Sequence, residues 1–511
     1  MTDPFAAPPP SARGAAVRER WLLLVVALVQ FLVALDMSVV NVALPDIRAS
    51  LDFSASGLTW VVNAYALTFG GLLMLGGRTG DVAGRRRTLL AGLALFGLAS
   101  VGGGCAQSAG HLIAARAAQG VGAAVLTPVA LALITVRFPA GPARVRALAL
   151  WGASAAVGGA VGVLAGGVLT QTAGWRAVLF VNVPFVALGL LAAVRGVPAD
   201  ERHAATPRLD IAGALLATAG TSTLVLGVVR TEQHAWGSAT TLLTLALAAA
   251  LLAGFALVER RTADPLLRLG LLRRRPVIAA NLIVLLLFSG QFAAFYFVSL
   301  YLQQVLGYGP AATGLSFLPF TAGIVAGSAF ATRTAERLGP RALLTCGGAV
   351  AAIGFGWFGA VLGADGSFTV SVLGPSVVTS LGLGVCFIPV ATAATTGVGP
   401  EEAGMASGLV TSSRQIGGSL GLAALSTVAA TVTERRGGVS GDADGGGADR
   451  LSALASGYAT AVGISGALLA AAALLAYVLL PRPSRPSGGS ATGASPRRTG
   501  KDRGEGALSV R

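Results

Sequence analysis

WLLLVVALVQFLVAL, residues 21–35, contains no charged side chain, and neither does ATTLLTLALAAALLAGFALV, residues 239–258. Each stretch approaches the roughly 20 apolar residues that a helix needs to cross the hydrocarbon core of a bilayer. In lipid the backbone has to satisfy its own hydrogen bonds, so only helices and closed β-barrels span a membrane. Barrel strands alternate polar and apolar residues, whereas these runs are continuously apolar. The two stretches therefore predict membrane-spanning helices.

The composition of the whole chain supports the same conclusion. Of its 511 residues, 54% are hydrophobic and only 12% are charged. A soluble domain contains about 25% charged residues, so an ordinary soluble enzyme is excluded. The formal net charge of +15 would indicate nucleic-acid binding in a soluble protein. Here the basic residues lie between the apolar stretches, where membrane topology explains them, and we expect the lipid bilayer and no nucleic acid as a partner.

Charged and Pro/Gly-rich breaks divide the chain into fourteen predicted spans. An even number of spans places both chain ends on the same side of the membrane. The spans cover residues 21–42, 57–76, 88–106, 111–135, 145–169, 175–195, 209–229, 238–258, 276–302, 311–332, 341–363, 368–395, 403–430 and 455–480.

The basic residues predict the orientation of these spans, because Lys and Arg accumulate in cytoplasmic loops. With a cytoplasmic N-terminus, 29 of the 37 basic residues fall in inside segments and six in outside loops. The other two, Arg116 and Arg414, lie inside spans. This bias predicts that both termini are cytoplasmic. The preference for Arg over Lys is typical of a GC-rich bacterial genome, so we expect a multi-pass protein of the bacterial inner membrane.

An internal repeat groups the spans into halves. The segments GGRTGDVAGRRRTLL at 76–90 and ATRTAERLGPRALL at 331–344 share an acid, a glycine and an arginine at an offset of 255 residues. The aligned pairs are Asp81 and Glu336, Gly84 and Gly339, and Arg86 and Arg341. A second set, 259 residues apart, is Gly158 with Gly417 and Gly162 with Gly421.

The predicted fold is therefore all-α and integral to the membrane. Two pseudo-symmetric six-helix bundles, 21–195 and 276–480, flank two extra central helices at 209–258. Paired halves around a central pathway are typical of transporters, whose substrate site lies between the repeats. The ends are rich in Pro, Ala, Ser, Gly and Arg, so we expect a cytoplasmic N-tail at 1–20 and a disordered basic C-tail at 481–511.

Asp36 is the only acidic residue well inside a predicted span. Ionisable groups within the membrane are costly and mark functional sites. At ~1.5 Å per residue, Asp36 and Arg116 both lie roughly 8–9 Å below the external surface. An arginine nearby keeps a buried carboxylate ionised, and its departure lets the acid take up a proton. The pair predicts a proton-coupling site; the alternatives are a fixed ion pair and an acid that only faces an aqueous vestibule.

Five segments carry a family resemblance. LDMSVVNVALPDI at 35–47 resembles the first-span signature of the fourteen-span drug–proton antiporters of the major facilitator superfamily. GGRTGDVAGRRR at 76–87 is similar to the superfamily's second-loop motif, and RAAQGVGAA at 116–124 to its fourth-span motif. WRAVLFVNVPF at 175–185 and GMASGLVTSSRQIGGSLG at 404–421 also resemble this family.

The resemblance covers essentially residues 20–480. It implies a monomeric exporter that needs no cofactor, because the proton gradient drives it, and whose partners are protons and a small-molecule substrate. One feature departs from the family: the usual Gly-Pro pair of the fifth span is Gly162-Val163 here. Gly158, Gly162 and Gly166 still lie on one helix face, so we expect close helix packing without the usual proline kink.

The cytoplasmic end of the thirteenth span predicts a gate. Glu401 and Glu402 precede this span, and we expect Asp81 to face its positive N-terminus. Arg85 or Arg86 would pair with the glutamates, and Gly84 would form the turn between Asp81 and these arginines. Such contacts would lock the halves together and break when the protein opens inward. The alternative is that these arginines only set the topology.

The substrate cavity is predicted from polar and aromatic residues inside spans. The candidates are Asn41, Gln291, Phe295, Tyr296 and Arg414. The alternative for the aromatic residues is packing or lipid contact.

The sequence disfavours an enzyme and an ATP-driven pump. The only lysine, Lys501, lies in the basic tail and has no phosphate-binding loop before it. The three histidines and three cysteines are scattered, without metal-ligand spacing, so we predict no metal and no catalytic residue. We expect proton-coupled efflux of small amphipathic organic molecules, such as a drug or antibiotic, by alternating access. A proton-coupled importer, or an exporter of one specific metabolite, remains the alternative, and a membrane-embedded enzyme is the rival of a different class.

Overall fold

The computed structural model describes residues 12–138, 142–200, 210–232, 234, 237–262, 265–395, 400–437 and 447–481. Within these ranges the regular structure is helical, and fourteen helical segments are long and apolar enough to cross a membrane. They correspond one for one to the predicted spans, which confirms the predicted fold class. The spans are numbered below in chain order.

The first half contains six spans. Their helices are Ala12–Leu51, Ala55–Ala83, Arg85–Gly104, Ala109–Arg137, Pro142–Ala173 and, for the sixth span, Trp175–Phe180 followed by Asn182–Gly196. The seventh and eighth spans are Ile211–Val229 and Ala239–Arg261.

The second half contains spans nine to fourteen. The ninth is Arg275–Leu300, continued by a π-helical turn at Tyr301–Val305. The short helix Pro310–Ser316 leads into Leu318–Val361, which holds the tenth and eleventh spans. The twelfth joins a π-helical turn, Phe368–Leu373, to Gly374–Thr395, and the last two are Pro400–Gly437 and Gly447–Leu479.

The break in the sixth span has a local cause. Pro184 has no amide hydrogen, and its ring opposes the carbonyl four residues earlier, that of Phe180. The helix is interrupted at the next residue, Val181. Asn182 therefore begins a new helical segment inside the membrane.

The same glycine turn occurs in both halves. Gly84, between the second and third spans, has φ 92° and ψ 141°. Gly339, between the tenth and eleventh spans, has φ 71° and ψ 166°. Glycine is the residue that adopts positive φ without a steric cost. The glycine pair aligned in the sequence repeat thus forms one kind of turn in the two halves.

The two halves also share a packing pattern. In the first half, the first span packs against the fifth and sixth, and the second and third pack against the fourth. In the second half, the ninth span packs against the thirteenth and fourteenth, and the tenth and eleventh pack against the twelfth. This correspondence supports the description of the chain as two six-helix repeats.

Glycines allow the closest of these contacts. Gly158, Gly162 and Gly166 lie against the backbone of the first span, and a Cβ atom at Gly162 would stand 2.7 Å from the carbonyl oxygen of Leu35. Gly417 and Gly421 face the backbone of the ninth span in the same way. The fifth helix is continuous across Gly162 and the following valine, so the proline-free sequence gives an uninterrupted helix.

The halves meet along two pairs of spans. The fifth span contacts the tenth, where Gly167 faces Pro310 and Gly314 faces the carbonyl of Val163. The second span contacts the thirteenth, and the seventh span packs against both of them. The extra helices therefore cover one of the two contacts between the halves.

The first and ninth spans also connect the halves, at one side of the bundle. We call the side on which the first span begins the N side, and the opposite side the far side. On the far side, Ser299 Oγ donates to the carbonyl of Asn41 at 3.3 Å, and Gln303 Nε2 donates to the carbonyl of Val42 at 3.1 Å. These bonds join the first span to the ninth on the far side.

The first helix begins within the predicted N-tail. It is helical from Ala12, and residues 12–20 contain alanine, arginine and glutamate, which favour helices. The remaining tail predictions, 1–11 and 482–511, lie outside the described residues.

Alanine substitutions on the fifth helix test the role of glycine packing. Gly162→Ala places a methyl group against the Leu35 carbonyl, whereas at Gly159 a Cβ would meet only Ser38 Oγ, at 3.8 Å. Both substitutions raise the helix propensity by the same amount, so the difference in stability between the two variants reports the effect of packing alone. We expect Gly162→Ala to be less stable than Gly159→Ala by about 1–3 kcal/mol, measured by thermal unfolding of the purified proteins. Equal melting temperatures would contradict the packing argument.

Candidate functional site

Asp36 accepts hydrogen bonds from three side chains inside the first half. Its carboxylate is fully buried, at 0% exposure. Arg116 Nη1 donates to Oδ2 at 2.6 Å, while Gln119 Nε2 and Asn182 Nδ2 donate to Oδ1 at 3.0 and 2.8 Å. A buried charge is costly unless it is paired and hydrogen-bonded, and these donors meet that need.

Arg116 is held on several sides at once. It is 2% exposed, and its Nε donates to the carbonyl of Val61 at 3.0 Å while Nη1 also donates to Gln119 Oε1 at 2.9 Å. Its guanidinium lies 4.6 Å from the ring centre of Tyr65. Val61 and Tyr65 belong to the second span, so the arginine joins the second and fourth spans to Asp36.

Helical spacing explains how these side chains converge. Residues three apart lie on one face of a helix, so Arg116 and Gln119 both face the first span. Gln119 Nε2 also donates to Ser100 Oγ of the third span at 2.8 Å. The break at Val181 places Asn182 at the start of its helical segment. Five of the first six spans thus contribute to one polar network.

The structure brings together the two residues that the sequence predicts as a pair, Asp36 and Arg116. Sequence reasoning missed Gln119, Asn182 and Ser100. Gln119 and Asn182 lie within the quoted motifs at 116–124 and 175–185, so those motifs held a signal for them. The sequence held no signal for Ser100, because a single serine is common in an apolar helix.

The predicted gate differs in its partners. Glu402 pairs with Arg274 at 3.0 Å and with Arg268 at 3.5 Å, whereas the sequence suggested Arg85 or Arg86. Arg86 Nη2 instead donates to the carbonyl of Val194 at 3.1 Å. The sequence could not show which arginines pair with Glu402, because all of them lie on the same predicted side of the membrane. The side chains of Asp81 and Glu401 lie outside the described part of the chain.

The turn at Gly84 receives an acidic partner that the sequence did not indicate. Asp200 accepts from the backbone amides of Arg86 and Arg87 at 2.9 and 3.0 Å, at the start of the third helix. An acid at a helix N-terminus is favourable, because the free amides and the helix dipole are positive there. A Cβ at Gly84 would overlap the Asp200 side chain, so glycine is required on two grounds.

A loop after the extra helices connects the halves on the N side. We call residues 265–274 the linker strap. Arg78 at the end of the second span donates to the carbonyl of Pro265 at 3.0 Å. The backbone amide of Arg268 donates to Met405 Sδ at 3.1 Å, next to the Glu402 ion pairs. The strap therefore contacts the second span in one half and the thirteenth in the other.

The predicted cavity residues fall into two groups. Asn41 bonds within its own helix, to the Met37 carbonyl at 2.7 Å, and Tyr296 is buried against Phe297. Of these two residues only Tyr296 is fully buried and serves packing, whereas Asn41 is partly buried and stays a candidate. Gln291, Phe295 and Arg414 are only partly buried and remain candidates for substrate contact.

Two repeats of six spans, two extra spans and a buried ion pair inside one repeat define a membrane transport protein of the secondary type. The model of a family described as Major Facilitator Superfamily matches residues 26–422. The chain belongs to the major facilitator superfamily, and the resemblance predicted from the five motifs is confirmed.

Three relatives are similar over most of their length. The cephamycin export protein CmcT of Amycolatopsis lactamdurans is 44% identical over 79% of this chain and 83% of that protein. The puromycin resistance protein pur8 of Streptomyces alboniger is 40% identical over 94% of this chain and 95% of the relative. The lincomycin resistance protein of Streptomyces lincolnensis is 37% identical, covering 80% and 84% of the two chains.

Solved structures agree in fold. A bacterial homologue of the human lysosomal transporter Spinster, inward-facing and unoccupied, has a TM-score of 0.65 at 18% identity, covering 91% of this chain and 99% of that one. The xylose transporter XylE from E. coli, partially occluded and inward open, has a TM-score of 0.59 at 15% identity, covering 91% and 98%. At these identities the likeness concerns the fold alone.

Glu402→Gln tests whether the linker strap holds the N side together. Glutamine cannot form the ion pairs with Arg268 and Arg274, and exposed pairs of this kind contribute about 0.2–1 kcal/mol. We expect a partial shift of the population, about two- to fivefold, towards a wider N side. The measurement is the distance between spin labels at Val136 and Leu338, in a variant whose native cysteines are replaced.

Glu434→Gln is the matched control, since Glu434 is an exposed acid at the other end of the same helix. An unchanged distance distribution in Glu402→Gln would mean that the strap does not restrain the halves.

Proposed function

We propose that this chain exports small amphipathic organic molecules, of the drug or antibiotic type, in exchange for protons by alternating access. The observation that carries the proposal is the carboxylate of Asp36, which is buried within the first half and paired with the cation Arg116. Such intramembrane acids form the proton-binding sites of pumps and transporters. The names of the three relatives concern export of antibiotics or resistance to them, and they support the choice of cargo.

The proposed proton step begins at Asp36. With the carboxylate ionised, Arg116 donates to it and the two charges neutralise each other. A proton on the carboxylate removes that attraction, so Arg116 gains freedom to move with the fourth span. The first span then loses its ionic tie to the fourth and keeps only the hydrogen bond from Gln119. Proton binding is in this way expressed as a change in helix packing.

The same helix carries the change to the far side. Asn41 lies five residues after Asp36 on the first span, and its carbonyl accepts the hydrogen bond from Ser299 of the ninth span. A shift of the first span therefore acts directly on the contact that joins the halves on the far side. This continuity is a physical route from proton binding to opening.

We propose that the N side is cytoplasmic, because the basic loops lie there, and that the protein works as a monomer in the cytoplasmic membrane. The contacts that join the halves on the far side would then belong to an inward-facing state. In this state cargo enters from the cytoplasm. Import is one competing hypothesis, and the direction of proton-driven movement separates it from export. Transport of a single metabolite is the other, and the number of different drugs that the protein moves separates it from drug export.

Asp36→Asn tests the proposal. Asparagine keeps the size of the side chain and loses the titratable charge, so the variant should insert and fold but lose proton-driven export. Asp46→Asn is the control, because Asp46 is an exposed acid on the same helix. Cells that express the protein are challenged with puromycin, lincomycin and a cephamycin, with and without a protonophore.

We expect resistance from the wild type and Asp46→Asn, lost in the presence of the protonophore, and none from Asp36→Asn at equal expression. Drug-driven proton release by purified, reconstituted Asp36→Asn at the wild-type rate would refute the assigned role. Proton-driven accumulation of these drugs in cells would support import.

A further inference from the structure

We infer that Arg414 binds an anionic group of the cargo, so that amphipathic organic anions are a substrate class of this protein. The inference rests on the proposed transport function and specifies its cargo. It concerns an arginine that belongs to the second half, whereas the proton site lies entirely in the first.

Arg414 differs from Arg116 in having no acidic partner. It lies nine residues after Met405, well inside the thirteenth span. Among the described residues no carboxylate forms an ion pair with it and no group accepts a hydrogen bond from it. Its one ring contact is with Phe288, at 5.4 Å from the ring centre. An uncompensated cation at this depth is costly and marks a functional position.

The acid of the proposed proton site is already engaged. The carboxylate of Asp36 accepts bonds from Arg116, Gln119 and Asn182, so it does not neutralise a second arginine. The central region thus holds one balanced ion pair and one extra positive charge. A ligand with a negative group would supply the missing counter-charge.

Aromatic rings beside Arg414 supply an apolar surface. Phe288 lies 6.1 Å from Phe292 and 5.8 Å from Phe387, and Phe295 stacks against Phe317 at 4.3 Å. These rings come mainly from the ninth span and continue away from the arginine along it. Small-molecule sites combine apolar, aromatic walls with a few polar groups that fix orientation. A cation next to such a wall suits a ligand with an apolar body and an acidic group.

A polar group from the opposite half lies within electrostatic range of Arg414. Tyr65 of the second span is 1% exposed, and its hydroxyl has no hydrogen-bond partner among the described residues. Its ring lies against Arg116, and it is close enough to Arg414 for electrostatic interaction. A buried hydroxyl without a partner is unfavourable. An anion on Arg414 would accept a hydrogen bond from Tyr65 and so contact both halves.

A matched pair of dyes tests the inference directly. 8-Anilinonaphthalene-1-sulfonate carries a sulfonate, and N-phenyl-1-naphthylamine has the same ring system without it. Binding is measured by fluorescence titration of the purified protein, corrected with protein-free micelles. We expect Arg414→Gln to weaken binding of the sulfonate at least tenfold and to change binding of the neutral dye less than twofold.

Two further variants complete the comparison. Arg414→Lys keeps the charge and should restore most of the sulfonate affinity. Arg435→Gln removes an exposed arginine at the end of the same helix and should leave both affinities unchanged. The proposal is overturned if Arg414→Gln binds the sulfonate as the wild type does. It is equally overturned if Arg414→Gln and Arg414→Lys lose both dyes and melt at lower temperature, because that marks a structural role.

Transport of the neutral dye separates this inference from the proposed function. If a proton gradient drives the neutral dye through reconstituted wild-type protein but Arg414→Gln shows no loss of sulfonate binding, only the anion site is refuted. If no gradient-driven movement of any probe occurs, the proposed function fails, and the dye titrations still decide whether Arg414 binds anions.

Discussion

The ion pair between Asp36 and Arg116 is the interaction on which the first half of the molecule depends. It joins the first and fourth spans, and Gln119 and Asn182 extend it to the third and sixth. A buried ion pair adds little net stability, because the cost of removing both charges from water offsets their attraction. Removal of one partner is strongly destabilising, because the other charge stays buried without a counter-charge. The network is therefore poorly explained as a stabilising device. It fits the proposed switch, in which helix packing would depend on one proton.

Such a switch needs rigid parts to act on. Close glycine contacts fix the first span to the fifth and the ninth to the thirteenth, so each half resists internal rearrangement. Between the halves, the far side is held by two hydrogen bonds to backbone carbonyls, those of Asn41 and Val42. Individual bonds of this kind contribute about 1 kcal/mol. The proposed alternating access would break these two bonds and would also separate the glycine contacts of the fifth and tenth spans.

The sequence predicted what is encoded locally. Hydropathy and breaks located fourteen spans, and Gly84 and Gly339 revealed the repeat, because a positive φ restricts the residue type at one position. Asp36 and Arg116 stood out because charges are rare inside spans. Gln119, Asn182 and Asp200 were missed, since neutral polar residues and loop acids carry no comparable signal. Their partners lie far away in the chain: Asn182 binds an acid that precedes it by 146 residues.

The partners of Glu402 change the interpretation of the two extra spans. Arg268 and Arg274 belong to the linker strap, which leads from the eighth span into the second half and also contacts Arg78 of the first half. The seventh span packs on the second and thirteenth spans, the pair that the strap joins. Both contacts concern the boundary between the halves and neither reaches Asp36. The extra spans thus lie at the boundary between the halves, while the proposed proton site and Arg414 belong to the twelve repeated spans.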